Sequence, residues 1–241
     1  MKTLTQIAME TPDQTMLEAA VIHYCDIYDK VFAEVRNQKI RFLLIGIGQG
    51  GCLKMWKEYF PNAEIFAMDI RPECKEFEEQ GVEVHIGDQG DSEFISSFLK
   101  ETGGNFDIII DDGGHQMYQQ INSVLLLWNS VSPEGHYIVE DTHTSYWAHF
   151  GGSIHGPNMK VQTQGQIQIT TIDLMKSFID NLHAMHTGRD TMWDADYAEY
   201  MSLKESDDPY VHSRVIEPVE GINSTLESMH FYDSVVVLVK A

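Results

Sequence analysis

The spacing of apolar residues changes period several times along the chain, and each change marks an element. Leu17, Ala20, Val21, Tyr24, Ile27, Tyr28, Val31, Phe32 and Val35 recur at the spacing of one buried helical face. Ahead of them residues 1–12 read as a tail or short lead-in, with Thr11-Pro12-Asp13 as a helix start. Arg41-Phe42-Leu43-Leu44-Ile45 then runs apolar without a break, as a strand covered on both faces does. A helix through Leu53, Met55, Trp56 and Tyr59 leads to a strand Ile65–Met68 that ends at Asp69. A helix over 73–80, closed by Gly81, precedes a strand Val82–Ile86 that ends at Gly87-Asp88. A helix with Phe94, Ile95, Phe98 and Leu99 stops at Gly103-Gly104, and the fourth strand is 106–110. A helix through Ile121, Val124, Leu125 and Trp128, a turn at Ser132-Pro133-Glu134-Gly135 and a fifth strand over 136–139 complete the series.

Strand and helix alternate throughout this stretch, which predicts an α/β fold. It is a doubly wound, Rossmann-like, mostly parallel sheet with helices on both faces and a helix ahead of it. After Thr142 the texture becomes aromatic, glycine-rich and then polar, the mark of a long insert after a strand tip. Ile172–His186 reads as a helix, 189–210 as an irregular aromatic cover, and 229–234 with 235–239 as closing strands whose pairing the pattern leaves open. The expected organisation is one domain over 1–241, with a helical lead-in over 1–37 and an insert over 142–210 lying above the active site.

The formal charge of −21 opposes a nucleic-acid partner and an anionic membrane surface. No apolar run has the length of a spanning helix, and the N-terminal residues lack a signal-peptide core. Cys25, Cys52 and Cys74 are odd in number and widely spaced, as expected of reduced thiols in a cytoplasmic protein.

The chemistry collects at the strand tips. Gly46-x-Gly48-x-x-Gly51 follows a strand and opens a helix, a place where backbone approaches a ligand closely and the helix end favours an anion. Asp69 at the next tip is placed to take ribose hydroxyls, and Asp88 at the third lies where an adenine edge would fall. Each acid alone reads equally well as a helix cap. Together with the glycines they point to an adenosine-bearing cofactor, NAD(P) or S-adenosylmethionine. The fourth strand ends in Asp111-Asp112-Gly113-Gly114-His115 and the fifth in Glu140-Asp141 followed by His143, with no Lys or Arg anywhere between Lys100 and Lys160. Four carboxylates without a neighbouring cation call for a metal ion, Mg²⁺ with Mn²⁺ as substitute. A dehydrogenase has no use for such a cluster. Methyl transfer to a hydroxyl does, because a cation lowers the hydroxyl pKa and a base takes the proton. The assignment is Asp112, Glu140 and Asp141 to metal and His115 to the base. His143 is in reserve as base, and His149 and His155 are weaker choices. Strand alternation turns Asp111 away from Asp112, to the cofactor side or behind the ligands.

With these motifs the chain resembles the class I S-adenosylmethionine-dependent methyltransferases, and within them the metal-dependent sugar O-methyltransferases of antibiotic biosynthesis. The resemblance is carried by residues 46–56, Tyr59-Phe60-Pro61-Asn62-Ala63 leading to Asp69-Ile70, and Gly87-Asp88-Gln89. It is carried also by 110–115, 139–147 and His230-Phe231-Tyr232-Asp233-Ser234. It implies a seven-stranded sheet with one antiparallel strand, the same metal ligands and base, a homo-oligomer, and a glycosyl hydroxyl on a small natural product as acceptor. The chain departs from the family at Leu44, where an acid usually helps hold the cofactor's amino group, and 148–210 has no counterpart. Two other readings stand beside it: an NAD(P)-dependent oxidoreductase, and a non-catalytic, cofactor-binding partner subunit.

Overall fold

In the computed structural model, residues 2–11, 19–152, 161–163, 166–184, 222 and 225–241 are described. The expected aromatic cover over 189–210, and His155, lie outside them. The central sheet contains β1 (Arg41–Ile45), β2 (Glu64–Asp69), β3 (Glu83–Ile86), β4 (Phe106–Asp111) and β5 (Val131–Val139). A short hairpin, β6 (Val161–Thr163) with β7 (Gln166–Gln168), stands apart, and β8 (Leu226–Tyr232) and β9 (Val235–Lys240) close the main sheet.

The strand order is β3-β2-β1-β4-β5-β9-β8. Pairs from β3 through β5 are parallel, and β9 is antiparallel to both of its neighbours, so one strand of seven runs against the others. The order reverses between β1 and β4, which opens a crevice at the carboxyl ends of those strands. Alternate residues of each strand feed two cores. Phe42 and Leu44 pack beneath α1 (Leu4–Glu10), α2 (Ala19–Phe32) and α3 (Gly51–Tyr59). Leu43 and Ile45 pack on the other face, beneath α4 (Ser92–Thr102), α5 (Met117–Leu127) and α6 (Thr171–Ala184).

Three expectations change. The lead-in over 1–12 contains α1, whose Thr3 side chain accepts from the Gln6 N–H while Gln6 reaches back to the Thr3 N–H. This reciprocal cap, worth about 1 kcal/mol, lets Leu4, Ile7 and Ala8 bury. The expected turn at 132–135 lies inside β5, because Glu134 takes a positive φ of 60° and the pairing with β4 shifts between Phe106 and Ile108. A bulge therefore carries the chain through. The helix expected over 73–80 is a 3-10 helix, Pro72–Gln80.

Candidate active site

Register decides where the acids go. Ile45 pairs with Asp111 across β1 and β4, and Asp111 with Val139 across β4 and β5. The next residues, Asp112 and Glu140, therefore leave the sheet at one height. The Asp112 N–H donates to the Ile45 carbonyl at 2.9 Å and the Glu140 N–H to the Asp111 carbonyl at 3.0 Å. His115 and Asp141 then adopt left-handed backbone, with φ of 55° and 53°. Such conformations are uncommon for side-chain-bearing residues and collect at functional sites.

Ligand atoms of Asp112, His115 and Asp141 lie within 4.8 Å of one another. His115 Nε2 is 3.3 Å from Asp141 Oδ2 and 3.9 Å from Asp112 Oδ1. His143 Nδ1 is 4.0 Å from Asp141 Oδ1, and its ring stands edge-on to Trp147 at 4.6 Å. The Nδ1 atoms of His115 and His143 are buried without a hydrogen-bond partner among the described residues. Glu140 accepts a hydrogen bond from the Tyr28 hydroxyl, and its charge acts on the neighbouring Asp112. The sequence reading set His115 apart from the ligands and Glu140 among them. Here His115 stands inside the group, and Glu140 at its buried side.

No Lys or Arg among the described residues pairs with Asp112, Glu140 or Asp141. Burial, and then the charges of Glu140 and Asp141, raise the Asp112 carboxyl well above the carboxylate range. Burial first, with the Asp141 charge adding to it, raises Glu140 from 4.5 to about 8. This sets the sign of a stability change. The folded chain keeps a proton on Glu140 that the unfolded chain loses above pH 4.5. The contribution of Glu140 to the stability of chelator-treated protein is thus full below that pH and declines up to about pH 8. Thermal unfolding in EDTA should show Tm falling across that interval.

Two adjoining cavities border the acids. One of about 270 Å³ is lined by Gly46, Met68, Asp69, Asp88 and Gly113. The other, of about 600 Å³, is lined by Tyr24, Tyr28, Leu44, Trp56, Glu140 and Asp141. Gly46, Gly48, Arg71 and Asp112 border both, whereas Gly51 faces only the larger. Asp69 Oδ2 accepts from the Ile47 and Gly48 N–H groups at 2.9 and 3.2 Å, and Oδ1 from the Arg71 N–H at 2.9 Å. Burial opposes ionisation of Asp69, but these bonds and the Arg71 guanidinium outweigh it and hold its pKa below the usual value. Arg71 also donates to the Gly48 carbonyl, tying the glycine loop to the β2 tip. Asp88 Oδ1 accepts from the Gly90 N–H and from Gln119 Nε2 at 2.8 and 2.9 Å. Asp111 is fully buried and borders neither cavity. It accepts from Gln89 Nε2 at 2.8 and 3.0 Å, and Gln89 in turn accepts from the Gly114 N–H.

Sequence reasoning missed Tyr24, Tyr28, Arg71 and Gln89. The tyrosines read as part of an apolar stripe, yet their i, i+4 spacing already put two hydroxyls on one helix face. Arg71 lies two residues after Asp69 and Gln89 directly after Asp88, positions beside acidic strand tips that could have drawn notice.

A crevice at the reversal of a parallel sheet, with a glycine loop and acids at successive tips, defines a Rossmann-like methyltransferase fold. Comparison of sequences makes the chain a homologue of the sugar O-methyltransferases of macrolide and polyketide biosynthesis. It is 35% identical over 179 residues to demethylmacrocin O-methyltransferase of Streptomyces fradiae, covering 71% of this chain and 43% of that protein. It is 36% identical over 160 residues to mycinamicin VI 2''-O-methyltransferase of Micromonospora griseorubida, covering 64% and 38%. The chain thus spans less than half the length of these relatives. Among solved structures, the MycE methyltransferase of mycinamycin biosynthesis, in complex with Mg, SAH and mycinamycin VI, superposes with a TM-score of 0.74 at 26% identity. That superposition covers 100% of this chain and 54% of MycE. No protein-family model matches the chain. No helix among the described residues is long and apolar enough to cross a membrane.

Proposed function

We propose that the chain is an S-adenosylmethionine-dependent, divalent-cation-dependent O-methyltransferase acting on a sugar hydroxyl of a glycosylated polyketide-type metabolite. The observation that carries this reading is the register-matched departure of Asp112 and Glu140-Asp141 from adjacent strands, uncompensated by Lys or Arg, beside a two-lobed cavity. The names of the relatives supply the acceptor class. An all-oxygen donor set suits Mg²⁺, with Mn²⁺ as substitute, and Asp112, Glu140 and Asp141 would hold it. When bound, the cation supplies a Lewis acid that makes an acceptor hydroxyl easier to deprotonate.

The chain's own residues do the remainder. In the smaller lobe Asp69 offers acceptors to the ribose, Asp88 flanks the base, and Gly46 and Gly48 let the backbone come close. Asp111 acts through Gln89 on the loop at Gly114. Asp141 Oδ2 faces His115 Nε2 and orients the ring, and the imidazole serves as the base for the hydroxyl proton. When bound, S-adenosylmethionine would supply the methyl group, which passes from its sulfonium sulfur to the acceptor oxygen and discharges the sulfonium. Leu44 puts an apolar wall where the family has an acid, so the larger lobe relies on Glu140, Asp141 and Asp112 for negative charge. The proposal extends to a homo-oligomer in a reducing, cytoplasmic setting, which light scattering of the purified protein addresses in its first part.

Calorimetry with S-adenosylhomocysteine and with NAD⁺, followed by methyl-transfer assays in Mg²⁺ and in EDTA, tests the reading. Binding of S-adenosylhomocysteine and EDTA-sensitive turnover are expected. Binding of NAD⁺ alone would turn it toward an oxidoreductase, and cofactor binding with no turnover on any glycosylated acceptor toward a non-catalytic subunit. His115→Ala should lower kcat about 10²–10⁴-fold and change Mn²⁺ affinity little. A large loss of Mn²⁺ affinity would make His115 a ligand, and full turnover would move the base to His143.

A further inference from the structure

Helix α2 reaches the acidic cluster with two hydroxyls. Tyr24 donates to Asp141 Oδ1 at 2.8 Å, and Tyr28 donates to Glu140 Oε1. The two tyrosines are one helical turn apart and their acceptors are adjacent residues, so one helix face meets one strand tip. Each bond engages a single carboxylate oxygen. At Asp141 this leaves Oδ2 directed at the centre of the group, where His115 Nε2 lies 3.3 Å away. Tyr28 is held in turn, stacked on Phe32 with ring centres 5.6 Å apart and set edge-on to Trp56 at 5.3 Å. Its hydroxyl position is therefore fixed by the core rather than by the site. Both tyrosines border the larger cavity and are almost fully buried.

We infer that Tyr24 and Tyr28 are positioning residues that select which oxygens of Asp141 and Glu140 face a divalent cation, making α2 part of the cation site as well as a cover for the sheet. The inference rests on the metal-dependent reading above. A hydroxyl on one oxygen limits carboxylate rotation and presents the other, the arrangement by which outer partners tune metal ligands. Neither residue contacts the transferred methyl group in this account. Their effect should therefore appear first in cation affinity.

The test is a Mn²⁺ titration by electron paramagnetic resonance of wild type, Tyr24→Phe, Tyr28→Phe and the double variant, with Tm in EDTA measured in parallel. Phenylalanine keeps the ring packing and removes only the donor. Each single variant should bind Mn²⁺ about tenfold more weakly, and the double variant more weakly still. The apparent KM for Mg²⁺ should rise, and kcat at saturating Mg²⁺ should stay near that of wild type. Tyr24→Phe, farther from the aromatic core, keeps the test decisive if Tyr28→Phe folds poorly. Unchanged or tighter Mn²⁺ binding in Tyr24→Phe overturns the inference while leaving the metal-dependent reading in place. Failure of wild type to bind Mn²⁺ at all overturns both.

Discussion

Asp112→Asn should abolish methyl transfer and at the same time make the metal-free protein more stable. Asp112 stands with Glu140 and Asp141 in a pocket whose described residues supply no Lys or Arg as a partner. Burial and the charges of those two neighbours raise its pKa well above normal, so ionising it inside the fold is costly. Asparagine has nearly the same shape and can donate to Glu140 without needing a proton. Near pH 8 in EDTA the gain should be on the order of 1 kcal/mol, or about 2–4 °C in Tm. Turnover in saturating Mg²⁺ should fall by at least about a hundredfold, because a directly bound oxygen is lost where even outer partners matter ten- to a hundredfold. The opposite signs are informative: a purely structural aspartate would lose stability along with activity. Turnover close to wild type would remove Asp112 from the site.

Gly46→Ala should damage both lobes at once. Gly46 has φ of 91°, and a Cβ there would lie 2.0 Å from the Asp112 carbonyl oxygen, 2.6 Å from its carbon and 2.9 Å from Gly113 Cα. All three are backbone atoms and cannot swing aside. The tip of β4 would have to move, carrying the Asp112 carboxylate with it. Backbone strain and overpacking together should cost about 3 kcal/mol or more, lowering Tm by about 6–12 °C. Calorimetry should find S-adenosylhomocysteine binding lost. Gly48→Ala is the control: its φ of 60° is left-handed, but a Cβ there meets nothing within 4 Å. It should cost only about 1–2 kcal/mol. Equal effects of the two changes would show that the close approach of β1 to β4 is not what the first glycine serves.

The parts that were legible in the sequence were those governed by local rules. Apolar runs such as 42–45 and 108–110 forecast buried parallel strands, and the second ends in Asp111-Asp112. The structure brings Asp112 and Glu140 to one level because Asp111 pairs with Val139 across β4 and β5. Alternation along β4 separated Asp111, now bonded to Gln89, from Asp112. What stayed hidden depended on contacts between distant segments. Nothing local says that Tyr24 and Tyr28 meet Glu140 and Asp141, since a tyrosine in an apolar stripe looks like core. The left-handed backbone at His115 and Asp141 has no glycine to announce it. The pairing of β9 between β5 and β8 needs the whole sheet to be seen. The proline- and glycine-bearing segment at 132–135 carried strong turn signals that a bulge satisfied as well.

Anomalous diffraction from crystals grown with Mn²⁺ and S-adenosylhomocysteine addresses the central claim most directly. One Mn²⁺ peak is expected, with oxygens of Asp112, Glu140 and Asp141 at about 2.1 Å and the cofactor's ribose against Asp69. A cofactor bound in the same crevice with no Mn²⁺ at the β4 and β5 tips, or with Mn²⁺ held elsewhere, would contradict the account.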